Sequence, residues 1–325
     1  MRVQQPKIVF LDAATYGDSS LQEFTDKWDC TIHEVTRFGE TLARLAGHSI
    51  AVTNKVVIDK TVLNSREASE LRLIAVAATG TDIIDREEAA SRNVKVCNVP
   101  GYATHSVAQF TLALILELAT NAGKYSAAVK TGEWHKSPVF SLLTFPTIGL
   151  KGKKLGIVGY GSIGKAVAQM ARGFGMEILV AARPRATGPI PANRIALEQL
   201  LREADILSLH CPLTPETRNL INAHSLALMK PTAFLINTAR GALIDETALV
   251  DALRRKQIAG AALDVISKEP PPADHPIILA ANELDNLIVT PHTAWSARES
   301  RERLLQEVKE NIAAFLQDRE RNRVA

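Results

Sequence analysis

The sequence predicts an α/β fold with parallel sheets, and three observations lead there. Short apolar runs alternate with helical stretches along most of the chain. One of these runs, Leu155–Val158, leads straight into Gly159, Gly161 and Gly164 at G-x-G-x-x-G spacing and then into a helical stretch from Lys165 to Phe174. Four later apolar runs end in polar clusters, which a parallel sheet would collect along one edge.

Bulk properties narrow the class. A chain of 325 residues with 46% hydrophobic content can build about two domains with real cores. The net charge is only +3, and the basic stretch 319–323 mixes Arg with Glu, so no nucleic-acid partner is expected. Cys30, Cys97 and Cys211 are scattered and lack ligand spacing, which suggests reduced thiols and no metal site. The N-terminus lacks the layout of a signal peptide. The longest apolar stretch, 110–119, is too short for a bilayer and contains Glu117. A cytoplasmic protein with no membrane partner is expected.

In order, strands are expected at Lys7–Leu11, Thr31–Val35, Ser49–Thr53, Leu73–Ala77 and Val94–Cys97, with a helical piece at Ser65–Leu71. Two of these strands end in polar loops, Thr53-Asn54-Lys55 and Ala78-Thr79-Gly80. Ligands of open α/β sheets sit beyond the carboxyl ends of strands, so Asn54, Lys55, Ala78, Thr79 and Gly80 are candidate substrate contacts. His105–Leu118 reads as a helix apolar nearly all round, to be buried between domains or subunits. A long irregular arm follows, through Trp134 and Pro146 to Gly152, suited to covering a neighbour. Beyond the glycine turn, strands are expected at 177–181, 205–209, 234–236, 260–263 and 287–289. A last helix starts at Ser296 with Glu299 as a capping box and carries a stripe of Leu304, Leu305, Val308, Ile312, Phe315 and Leu316.

The glycines fit a dinucleotide. Gly159 permits a tight turn, Gly161 lets a pyrophosphate approach the backbone, and Gly164 lets helix and strand pack closely. A carboxylate normally follows about 20 residues later to hold the ribose hydroxyls of NAD. Here the segment is Ala181-Ala182-Arg183-Pro184-Arg185. Arg183 and Arg185 suit a 2′-phosphate, so NADP(H) is the expected cofactor, with NAD(H) as the alternative.

Reducing a carbonyl requires a proton donor and a cation for the substrate's anionic end. His292 follows an apolar run, and imidazole exchanges protons near neutrality. Glu269 could pair with it and stabilise the imidazolium. Arg240, beside Gly241 at another strand end, offers a planar fork for a carboxylate.

These stretches together are similar to the D-isomer-specific 2-hydroxyacid dehydrogenases. The likeness runs from about Ser49 to Glu299 through A-A-T-G-T-D (77–82), N-V-P-G-Y-A-T-H-S-V-A (98–108), the glycine turn, L-H-C-P-L-T-P-E-T (209–217), N-T-A-R-G-A-L-I-D (237–245), A-L-D-V-I-S-K-E-P (262–270) and T-P-H-T-A-W (290–295). The resemblance implies that Arg240 binds and polarises the substrate, and that Glu269 and His292 form the acid–base pair. It implies a cofactor backbone cradle at Gly161, Ser162 and Ile163, with Thr104 close by. It places His210, Cys211, Pro212 and Thr217 on the adenosine side, Thr238 and Ala239 on the nicotinamide side, Asp264 at the carboxamide, and His292 and Ala294 against the cofactor.

It further implies a discontinuous, flavodoxin-like substrate domain, 1–99 plus 294–325. A Rossmann domain would occupy 100–293, with a cleft between the two, and a homodimer would form through the helix and arm after Pro100. Within the family the sequence most resembles glycerate dehydrogenases, also called hydroxypyruvate reductases. The implied reaction takes small 2-oxo acids, hydroxypyruvate or glyoxylate, to D-glycerate or glycolate. Phe140-Ser141-Leu142-Leu143 departs from the aromatic residues common in that branch. The alternatives are a sibling dehydrogenase with another substrate, or a dinucleotide-sensing protein of the corepressor type that shares the fold.

Overall fold

The computed structural model describes residues 6–183 and 190–325. Two compact units are formed, one by Met1–Ala103 with Ser296–Ala325 and the other by Thr104–Trp295. The chain therefore crosses between them twice.

The first unit holds a parallel sheet of β1 (Lys7–Phe10), β2 (Asp29–Ile32), β3 (Ile50–Thr53), β4 (Leu73–Val76) and β5 (Lys95–Cys97), in the order β2-β1-β3-β4-β5. This is the flavodoxin-like order. β3 and β4, I-A-V-T and L-I-A-V, are wholly buried, as strands covered on both faces must be. β2 lies at the edge and is mostly exposed. The helix Arg298–Leu316 packs on β4 and returns the C-terminus to this unit, where Val324 and Ala325 hydrogen-bond to Val96.

The second unit holds β6 (Lys154–Val158), β7 (Glu177–Val180), β8 (Ile206–Leu209), β9 (Phe234–Asn237), β10 (Gly260–Leu263) and β11 (Leu287–Val289), in the order β11-β10-β9-β8-β6-β7. All pairings are parallel. The chain runs outward from β6 to β7 and then crosses back to β8, so the topological switch lies between β6 and β8, where doubly wound sheets bind their ligands.

Several local expectations need correction. No helix forms over 65–71. The helix is Lys60–Leu63, because Asp59 caps the N–H of Val62 and the chain then turns. The second strand covers Asp29–Ile32 and stops before Val35. The last helix starts at Arg298, two residues later than expected, with Ala297 at its N-cap. On its stripe Leu316 is exposed, and buried Asn311 takes part instead, donating to the carbonyl of Asn98. The apolar helix is Thr104–Thr120. Within the second unit it packs chiefly against the helix Ser162–Gly173 and also on β9 and β10. Among the described residues, no helix is long and apolar enough to cross a membrane.

Candidate active site

Three glycines shape the turn after β6, each for its own reason. Gly159 has φ +93°, and a Cβ there would lie 2.4 Å from the backbone nitrogen of Cys211. A Cβ on Gly164 would lie 2.2 Å from the carbonyl oxygen of Gly159. A Cβ on Gly161 would meet nothing within 4 Å. The first two glycines are thus required by the protein's own packing, whereas the third faces open space. Gly161 precedes Ser162–Gly173, a helix without a side-chain cap, so the N–H groups of Ser162, Ile163 and Gly164 have no intrahelical acceptor. Open space beside uncapped amides fits a phosphate group.

The wall opposite this turn is fixed through Gly159. His210 N–H donates to the Val158 carbonyl, and its ring Nε2 lies 2.8 Å from the Ser208 hydroxyl. Burial pushes the His210 pKa down to about 4 and the Cys211 thiol up to about 11, so both are neutral near pH 7. Buried Thr217 closes the loop that follows, donating to the Pro212 carbonyl at 2.8 Å and accepting from the Thr214 N–H. Exposed Arg183 lies just past β7, with half-buried Ala182 donating its N–H to the Ile195 carbonyl. Arg185 lies outside the described residues.

The turn bearing Arg240 is built by Asn237. This fully buried side chain donates to the Arg240 carbonyl at 2.9 Å and accepts from the Ala239 N–H at 3.0 Å. Arg240 also donates from Nη1 to the Ala239 carbonyl. Thr238 Oγ1 lies 3.0 Å from Thr111 Oγ1 in the apolar helix. Gly241 is pressed against the next loop, since a Cβ there would lie 1.9 Å from the carbonyl carbon of Ile266. That loop carries Glu269, which accepts the Ile266 N–H with one carboxylate oxygen.

The other oxygen of Glu269 lies 2.5 Å from His292 Nδ1. The two side chains are thus hydrogen-bonded to each other. With Nδ1 committed, Nε2 is the atom left to give or take a proton. His292 has φ +53°, a left-handed conformation that is unusual for a residue with a side chain. Its N–H is held by the carbonyls of Asp264 and Thr290. Asp264 is 1% exposed and organises the whole turn: it accepts from the Thr290 hydroxyl at 2.6 Å, the Thr293 N–H at 2.9 Å and the Ala294 N–H at 2.8 Å. Ser106, two residues after Thr104, ties down the far end by donating to the Ala294 carbonyl.

The structure therefore draws Glu269, His292, Asp264 and Ala294 into one hydrogen-bonded assembly and presses the Arg240 turn against it. Sequence reasoning named the reactive side chains but missed Asn237, Ser106 and Thr111. A hydroxyl set among apolar neighbours in mid-helix was the available signal for Thr111.

In the first unit the other candidates form separate groups. Buried Asp12 accepts from the N–H groups of Asn54 at 3.0 Å and Lys55 at 2.6 Å. Ala78 and Thr79 are joined to the segment 98–99: Ala78 accepts the Val99 N–H, Thr79 donates to the Val99 carbonyl, and Asn98 donates to the Thr79 carbonyl. Gly80 continues this loop, half-buried.

Comparison with known proteins decides the family. Residues 112–294 match the model of the D-isomer specific 2-hydroxyacid dehydrogenase NAD-binding domain. The chain belongs to that family. A glycerate dehydrogenase of Methylorubrum extorquens is 38% identical over 97% of this chain and 98% of its own. A glyoxylate reductase of Thermococcus litoralis is 44% identical over 81% of this chain and 78% of its own. An acyclic imino acid reductase solved with NADPH and D-Arg superposes with a TM-score of 0.85 at 29% identity, covering 98% of this chain and all of the other. Membership makes this chain an NAD(P)-dependent oxidoreductase of 2-hydroxy and 2-oxo acids.

Proposed function

We propose that the protein is an NADP(H)-preferring reductase of small 2-oxo acids, hydroxypyruvate and glyoxylate foremost, acting as a cytoplasmic homodimer. The observation that carries the chemistry is the Glu269–His292 pair beside the Arg240 turn. Arg240 binds the substrate carboxylate and polarises the neighbouring carbonyl. A bound reduced nicotinamide would supply the hydride to C2. His292, protonated and paired with Glu269, gives its Nε2 proton to the carbonyl oxygen, and the carboxylate stabilises the imidazolium beforehand. Thr104, Gly159–Gly164, His210–Pro212, Thr217, Thr238, Ala239, Asp264 and Ala294 would hold the cofactor. Asn54, Lys55 and Ala78–Gly80 contact the remainder of the substrate.

The substrate class follows the glycerate dehydrogenase and glyoxylate reductase relatives. The cofactor preference follows Arg183, a cation where NAD would want a carboxylate. The dimer is supported by the arm, where Phe140 is 91% and Leu143 84% exposed although both are large and apolar.

A panel of hydroxypyruvate, glyoxylate, pyruvate and phenylpyruvate, each assayed with NADPH and NADH, tests the reading. The expected result is highest kcat/KM for hydroxypyruvate and glyoxylate with NADPH. A strong NADH preference removes the cofactor assignment, and turnover of the bulky aromatic acid alone removes the substrate assignment. Light scattering on the Phe140→Asp, Leu143→Asp double variant tests the dimer, and an unchanged mass would refute the arm as its interface.

A further inference from the structure

Resting on the NADP(H) reading above, we propose that Arg194 is a second specificity residue for the 2′-phosphate, held ready at the carboxyl end of β7 by Tyr160. Nothing in the sequence pattern marks Arg194, which lies well past the end of β7. The structure brings it back. Ile195 donates its N–H to the Val180 carbonyl at 3.0 Å and accepts the Ala182 N–H at 2.7 Å. This short parallel bridge lays 194–195 alongside the carboxyl end of β7, where a Rossmann unit places the adenosine ribose.

The side chain is fixed in two ways. Its guanidinium carbon stands 4.9 Å from the ring centroid of Tyr160, the residue between Gly159 and Gly161. Its Nη1 donates to the Ala181 carbonyl at 3.2 Å. A guanidinium has five N–H donors, and this bond uses one. The planar cation is thus anchored between the glycine turn and the last residues of β7, the two elements that flank the ribose in this fold. Stacking settles much of its side-chain entropy before any ligand arrives, so less is lost on binding. A 2′-phosphate, a dianion with several acceptors, suits that donor set. A 2′-hydroxyl would gain little from a cation there.

The test measures binding of adenosine 2′,5′-bisphosphate and adenosine 5′-monophosphate by calorimetry on the full chain, alongside kcat/KM for NADPH and NADH. Wild-type protein tests the NADP(H) reading by itself: preference for the bisphosphate sustains it, and equal binding of the two nucleotides ends it. The variants test Arg194. Arg194→Met keeps an aliphatic stem over Tyr160 and removes the charge. It should weaken the bisphosphate at least tenfold, leave the monophosphate within twofold, and lower the NADPH:NADH ratio in parallel. Arg194→Lys should recover part of that loss. A loss shared equally by both nucleotides would assign Arg194 to holding the turn alone, and no loss of either would leave it no part in recognition. Both results overturn the proposal.

Discussion

Two buried aspartates, one in each unit, do the same mechanical job with unequal thoroughness. Asp264 follows β10 and Asp12 lies two residues past β1, and each accepts successive backbone N–H groups from a neighbouring loop. Asp264 also receives the Thr290 hydroxyl at 2.6 Å, while its own carbonyl holds His292. Asp12 receives the Thr53 hydroxyl at a longer 3.4 Å, and close to its loop the buried Asn54 Nδ2 and Tyr16 Oη lack partners among the described residues. An unmade buried hydrogen bond costs about 1–3 kcal/mol. The loop that would carry proton transfer is therefore fully braced, and the loop that would read the substrate keeps unspent donors. Chemistry needs one fixed geometry, whereas selectivity is served by polar groups that a ligand can complete.

The largest effects should come from the braced side. His292→Gln should lower kcat by about 10²–10⁴-fold, the usual contribution of a general acid, with NADPH binding little changed. Unaltered turnover would end the acid–base assignment. Glu269→Gln should cost less, since His292 keeps its place and loses only a charged partner. Gly241→Ala would drive a Cβ into the Ile266 carbonyl, so the Arg240 and Glu269 loops must separate. A kcat loss in that variant despite an intact fold by circular dichroism would show that their contact matters.

Removing the charge from each aspartate tests the comparison directly. Asp264→Asn turns an amide NH₂ towards N–H donors that need an acceptor, so kcat should fall about tenfold or more while KM changes little. Asp12→Asn should act the other way, raising the KM for the 2-oxo acid several-fold with kcat nearly kept. If both variants shifted the same parameter, the two loops would share one role and the contrast between them would fail.

The sequence made much of this legible because strands and glycine turns are local signals. The run Leu155–Val158 followed by spaced glycines identifies a binding turn without knowledge of any distant residue. His292 and Glu269 were recognisable as chemistry, but their 2.5 Å contact joins residues 23 apart through the turn that Asp264 builds. Asp264 was expected to face a cofactor, and its brace across Thr290–Ala294 has no sequence period that would reveal it. The missing helix at 65–71 and the late start of the final helix come from competition between turns and caps, which shifts ends by a few residues. Arg194 was invisible because its importance depends on a bridge between 181 and 195.

The smallest predicted effect sharpens the contrast through pH. Burial disfavours the charged form of both His210 in the second unit and Asp12 in the first, which moves their pKa values in opposite directions. His210 falls from 6.5 to about 4, so between those values the unfolded chain holds more protons than the folded one. Its stabilising effect is complete above pH 6.5 and is lost as pH falls towards 4. Asp12 is raised above 3.8, so its effect is greatest in acid and is lost as pH rises through its folded value. Melting curves from pH 4 to 7 should therefore show His210→Gln flattening the acid-side loss of stability. Asp12→Asn should instead leave that loss steeper, because it removes a term that grows as acid is added. Two units can melt separately, so each transition is followed on its own. Parallel changes in the two variants would mean that burial does not govern both groups.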